Sequence, residues 1–144
     1  MRPVSIVWFE RFYLASLVLG LLSTMLNWST ISAAAQATPG APGVVTNPIF
    51  MIAIMAISLG FSLLFWYLIA RRGSKIAKWI LVVFFVIGLL SLPGVLRNPL
   101  YGTAMVAMAL INYLLQLAAV VCTFRSDTHD WFNARKPVDP NAFS

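Results

Sequence analysis

From residue 12 to residue 70 the chain contains no Lys, Arg, Asp, Glu or His. A water-soluble fold cannot leave so long a stretch uncharged, because its surface elements need a polar side to face solvent. Two more charge-free runs follow, over residues 79–96 and 98–124. A helix rises about 1.5 Å per residue and a bilayer's hydrocarbon core is about 30 Å thick, so about 20 apolar residues make one crossing. The first run is long enough for two crossings and each of the others for one.

Composition points the same way. The chain of 144 residues is 60% hydrophobic and 10% charged, with a mean hydropathy of +0.87, whereas a soluble domain carries about 25% charged residues. The sequence therefore predicts an all-α fold, an integral membrane four-helix bundle forming one domain. The helices are expected over about 4–28, 49–70, 77–96 and 101–124. Pro3 suits the first turn of the first helix. Residues 29–48 read as an external loop, because Pro39, Gly40, Pro42 and Gly43 break any period there. Pro93-Gly94 either ends the third helix near Leu92 or bends it and lets it run on to Leu96. Residues 125–144 form a tail in which Ser126 or Asp127 caps a short helix, returning Trp131 and Phe132 to the interface. Beyond Lys136, with Pro137 and Pro140, the tail reads as loosely extended.

Orientation follows from the basic residues, since short loops rich in Lys and Arg stay cytoplasmic. Arg2 and Arg11 precede the first span, Arg71, Arg72, Lys75 and Lys78 separate the second from the third, and Arg125, Arg135 and Lys136 follow the fourth. The opposite side holds only Arg97. Both termini are expected to be cytoplasmic. The excess of ten basic over four acidic residues, with a pI near 10.1, then reports topology, and no nucleic-acid partner is implied. Ala33-Ala34-Ala35 imitates a signal-peptide cleavage site, but the apolar run before it is long for a signal peptide and Glu10 is foreign to a basic leader. The first helix is expected to be a retained span.

Lipid tails are as apolar as Leu, so small and hydrogen-bonding residues mark the faces where spans meet. On the first helix Ser16, Gly20, Ser23 and Asn27 form one stripe, extended by Tyr13. On the second, Ala53, Ala56 and Gly60 share a face with Tyr67 beyond them; on the third, Gly88 and Ser91 do so. The fourth carries Ala109, Asn112, Gln116 and Ala119. Asn112 and Gln116 are the amides well inside a span, and each needs a partner: Ser16, Ser23, Tyr67, a backbone carbonyl or water. They are either interhelical glue or the lining of a ligand site. Neither an acid nor a base nor a histidine lies within the charge-free runs that hold the spans, which argues against proton coupling there.

Outside the spans, Arg11, Arg71, Arg72, Lys75, Lys78, Arg125, Trp131 and Phe132 are expected to anchor the bundle at the headgroups. Glu10 is read as solvated or paired with Lys78, Arg72 or Arg125. Cys122 has no second cysteine and reads as a packed small residue. Met51, Met55, Met105 and Met108 read as packing and not as a copper path. Asp127, His129 and Asp130 crowd together without a fourth donor, so no metal and no cofactor is expected.

Arg2-Pro3, Trp8-Phe9-Glu10-Arg11-Phe12-Tyr13-Leu14, the hinge from Trp66-Tyr67 through Arg71-Arg72-Gly73-Ser74-Lys75, and Phe124-Arg125-Ser126-Asp127 with Trp131-Phe132 resemble small uncharacterised four-span inner-membrane proteins of bacteria. The resemblance implies a multi-pass protein of a bacterial inner membrane and carries no activity or site residues. Three functions then compete. The foremost expectation is a non-enzymatic accessory or scaffolding subunit that binds lipid, pigment or a larger membrane complex through Phe61, Phe65, Trp66, Phe84 and Phe85. The alternative is a small self-associating transporter or channel for a neutral or apolar solute along Ser16, Gly20, Asn112 and Gln116. An enzyme acting on lipid or quinone would have to use Glu10, Asp127, His129 and Asp130, whose spacing matches no catalytic arrangement.

Overall fold

The computed structural model describes residues 3–37, 43 and 47–133. Arg2, the loop stretch 38–42, Arg135, Lys136 and the tail with Pro137 and Pro140 lie outside the described residues. The others form α1 (Val4–Leu26), α2 (Trp28–Ala37), α3 (Pro48–Ala70), α4 (Lys75–Arg97), α5 (Thr103–Cys122), a single 3-10 turn (Ser126–Thr128) and α6 (His129–Asn133), with no strand among the described residues. Helices α1, α3, α4 and α5 are long and apolar enough to cross a membrane.

Local chemistry sets the ends. Asn47 caps α3 by accepting the Ile49 N–H at 2.9 Å, and Pro48, which has no N–H to satisfy, takes the first helical position. Ser74 caps α4 by accepting the Ala77 N–H at 3.2 Å. Helix α4 starts before residue 77 and passes through Pro93 to Arg97, the longer of the two expected courses. Pro93 leaves the Leu89 carbonyl without its helical donor. The turn before it is tied from outside the ladder: Ser91 donates to the Gly88 carbonyl at 2.8 Å, and the Tyr113 hydroxyl to the same oxygen at 2.9 Å.

The loop expected over 29–48 opens as a helix. Asn27 interrupts α1 at φ −109°, its side-chain amide donating to the Ser23 carbonyl at 2.8 Å, and α2 resumes at Trp28. Ala33, Ala34 and Ala35 carry the strongest helix propensity of any residue type, and the loop-breaking prolines at 39 and 42 come after them.

The four long helices form a ring of neighbours. Helix α1 packs most extensively on α5 and also on α3, while α4 touches α3 and α5. The beginning of α1, the α3–α4 turn and the tail share one end of the bundle, here the tail end. The buried side chains gather there: Ile6, Phe9 and Tyr13 of α1, Ile69 and Ala70 of α3, Ala77, Ala119, Cys122 and Phe132. Large aliphatic groups elsewhere point outward, with Ile49 78% and Leu90 75% exposed. An exterior of that kind suits hydrocarbon and not water.

The tail closes this end. Helix α1 has no side-chain cap of its own, and the Asp127 carboxylate accepts the Ser5 N–H at 3.1 Å from the other end of the chain. Asp127 therefore caps α1, whereas the 3-10 turn begins at Arg125 without a side-chain cap. Trp131 Nε1 donates to the Ile69 carbonyl at 3.2 Å, serving one of the open carbonyls at the end of α3. Gly73 turns the chain at φ +57°, and a Cβ there would sit 2.6 Å from the Trp131 carbonyl oxygen, so both conformation and space require glycine. Trp131 and Phe132 fold back onto the bundle, where Phe132 is buried and Trp131 half-buried. A helix of five residues has no stability of its own and holds only by packing.

Candidate functional site

The ring of helices is hollow in its middle. A cavity of about 300 Å³ lies between α1, α3, α4 and α5. One wall is polar and carries Tyr13, Ser16, Ser58, Ser62 and Gln116; the other carries Phe61, Phe65, Phe84 and Phe85. Periodicity builds the polar wall, because Ser58 and Ser62 lie one turn apart on α3 as Tyr13 and Ser16 do on α1.

Three of the four hydroxyls on this wall are oriented by carbonyls. Ser16 donates to the Tyr13 carbonyl at 2.8 Å, Tyr13 to the Ser62 carbonyl at 3.1 Å, and Ser62 to the Ser58 carbonyl at 2.8 Å. The Tyr13 bond crosses from α1 to α3. With their protons engaged, the three hydroxyls face the cavity as acceptors, and Gln116 can both donate and accept. Phe61 and Phe84 line the cavity yet are 57% and 58% exposed, so it opens sideways between α3 and α4.

A second cavity of about 520 Å³ lies toward the other end, with Gly20, Ser23, Asn112 and Tyr113 on its walls and Ile31 of α2 over it. Gln116 lines both. Asn112 Oδ1 is buried with no partner among the described residues. A Cβ on Gly20 would lie 3.8 Å from Asn112 Nδ2, so the amide packs on the bare backbone of α1.

The structure thus brings Ser16, Gly20, Ser23, Asn112 and Gln116 together along the α1–α5 seam. Asn27, at the break between α1 and α2, bonds back to the Ser23 carbonyl. Of the partners expected for the two amides, Ser16 is engaged elsewhere, turning back to the Tyr13 carbonyl. Gly60 and Tyr67 are not part of the seam, which corrects their assignment. Gly60 is exposed with nothing near its missing Cβ, and Tyr67 is 44% exposed beneath Arg72. Small residues on a lipid-facing surface look the same in sequence as small residues at a contact. Ser58 and Ser62 carry the same four-residue spacing on α3, but a serine pair is a weaker contact signal than the glycine and alanines of the same helix.

The basic residues meet aromatic rings at the tail end. Arg11 lies over Trp8 at 5.3 Å, Arg71 over Trp66 at 5.8 Å and Arg72 over Tyr67 at 5.9 Å. Glu10 pairs with Arg71 at 3.7 Å, a partner outside the expected set. Lys78 donates to the Thr123 carbonyl at 3.2 Å and Lys75 to Asn133. Cys122 is a free thiol in the buried cluster. No group of three or more acids, histidines or cysteines able to hold a metal occurs among the described residues.

No family model, curated protein or solved structure matches this chain. The arrangement in the bundle offers hydrogen bonds to a neutral group and aromatic contact to an apolar one. Among the described residues it supplies no acid, base or histidine to either cavity.

Proposed function

We propose that the chain is a non-enzymatic integral protein of a bacterial inner membrane, both termini cytoplasmic, acting as an accessory subunit that holds a lipid-like or pigment-like molecule between its helices. The observation that carries this is the cavity of about 300 Å³ with a hydroxyl-and-amide wall, a phenylalanine wall and a side opening between α3 and α4. Ligand pockets are mostly apolar with a few placed polar groups, and a side opening admits a molecule already dissolved in the bilayer. Membrane placement draws support from the four apolar helices, and orientation from the sequence pattern of nine basic residues flanking the spans on the expected cytoplasmic side against Arg97 alone. The bacterial inner membrane rests on the resemblance of the juxtamembrane clusters. A larger membrane complex is the expected partner of the exposed aromatic faces.

Extraction of the chain from its native membrane in mild detergent, followed by mass analysis of what travels with it, tests the proposal. The expected result is a neutral apolar molecule with a hydroxyl or carbonyl, retained by the natural chain and lost from Ser62→Phe, which fills the cavity while α-helical content is unchanged. A lone monomer carrying neither ligand nor partner overturns it. The meeting of both cavities at Gln116 favours the second reading, a path for a neutral solute through self-associated copies.

A further inference from the structure

At the tail end, the 3-10 turn and α6 fold over the start of α4 and leave a pocket of about 200 Å³. Lys75 and Lys78 reach it from α4, and Arg125, Ser126 and His129 from the tail. Its lining holds three basic side chains, Lys75, Lys78 and Arg125, and, among the described residues, no carboxylate. Asp127, from the same turn, is not in the lining; its carboxylate accepts the Ser5 N–H and also feels the Arg125 charge.

The two lysines are held in place. Lys78 Nζ sits 4.0 Å from the Phe124 ring centre and 5.0 Å from that of Phe132, while donating to the Thr123 carbonyl at 3.2 Å. Asn133 receives Lys75 on its carbonyl oxygen and lies 3.0 Å from His129 Nδ1 through its amide nitrogen, tying both sides of the pocket together. Like charges fixed in one concavity repel one another, and a shared anion relieves that repulsion. A phosphate group matches the donors: point charges from the lysines, a planar fork from Arg125 and a hydroxyl from Ser126.

We propose that this pocket binds a phosphate-bearing anion. The ligand is the phosphate of an anionic phospholipid headgroup or free inorganic phosphate, which share the chemistry the pocket recognises. Its level favours the headgroup, since Trp8, Trp66 and Trp79 ring the same end as an aromatic belt does. Basic pockets between spans on the cytoplasmic side take such headgroups. The lipid source rests on the membrane placement proposed above; the phosphate chemistry does not.

The test uses the full chain in two arms. In the first, the chain is reconstituted into phosphatidylcholine vesicles containing phosphatidylglycerol, re-extracted, and its retained lipid counted by native mass spectrometry. In the second, inorganic phosphate is titrated against the melting temperature of lipid-stripped chain in a neutral detergent. The Lys75→Gln, Arg125→Gln double variant is expected to lose binding about tenfold or more. Lys75→Arg should retain it, and Arg72→Gln, a cation outside the pocket, should match the natural chain.

Phosphatidylglycerol retained in that pattern supports the headgroup. Stabilisation by phosphate in that pattern, without retained lipid, supports the free anion and sinks the headgroup as source. Binding in neither arm overturns the proposal, as does an equal loss in Arg72→Gln, which would show diffuse charge attraction. The apolar molecule sought in the central cavity is read separately, so failure here leaves that proposal standing and the converse also holds.

Discussion

Asp127 shows how one exposed carboxylate closes the molecule. The hydrogen bond from the Ser5 side chain, first, and that from the Ser5 backbone N–H, second, hold its acid below the ordinary value of 3.8. A carboxylate whose pKa is depressed on folding stabilises the fold above its unfolded pKa, and that contribution disappears as pH falls through the lower folded pKa. Asp127→Asn keeps a short polar side chain but loses the charge at the positive end of α1. The expected outcome is a melting temperature in detergent below that of the natural chain at neutral pH, with the gap narrowing only once the pH drops under about 3.8. A gap that is constant across the acid range would show that the charge contributes nothing. This contact was not legible beforehand. The sequence offers Ser126 or Asp127 as the cap of the short helix that follows, because capping signals are local, and the partner Asp127 finds stands at the opposite end of the chain.

At the scale of elements, what was legible is what periodicity encodes. The stripe of Ser16, Gly20 and Ser23 on α1, and that of Asn112 and Gln116 on α5, line one seam, because residues three and four apart share a helix face whatever they pack against. Periodicity does not tell a contact face from a lipid face, and so Gly60 and Tyr67 were placed inward when they are exposed. The tail was opaque for another reason: its docking depends on a glycine turn and a tryptophan far apart in sequence. Gly73→Ala should cost about 1–2 kcal/mol for the left-handed backbone alone, with a further cost from displacing Trp131. Trp131→Phe keeps the ring and removes the donor to the Ile69 carbonyl, a loss of about 0.5–1.5 kcal/mol. Thermal melts in detergent, with hydrogen exchange followed over residues 68–75, should rank Gly73→Ala below Trp131→Phe and both below the natural chain. Unchanged protection of that turn in both variants would mean that the tail does not hold it.

For the molecule as a whole, the question is why two amides are kept in an otherwise apolar bundle. As glue, Asn112 and Gln116 would bond helix to helix, and Leu at both positions would weaken the assembly by about 0.6 kcal/mol per bond lost. The orphaned Oδ1 of Asn112 argues differently, because a buried acceptor without a donor is itself a cost of about 1–3 kcal/mol that Leu removes. The Asn112→Leu, Gln116→Leu double variant is therefore expected to melt at or above the temperature of the natural chain. It should also lose the molecule held in the central cavity, since Gln116 is the one amide on that wall. In vesicles the two functions separate. An accessory subunit gives no flux of neutral solute with or without the amides, whereas a pore built on the cavities that meet at Gln116 gives flux in the natural chain and none in the double variant. A lower melting temperature together with full ligand retention would return both amides to the role of glue. The cavity's hydroxyls on Tyr13, Ser16 and Ser62, each oriented by a carbonyl, would then be left among its polar contacts.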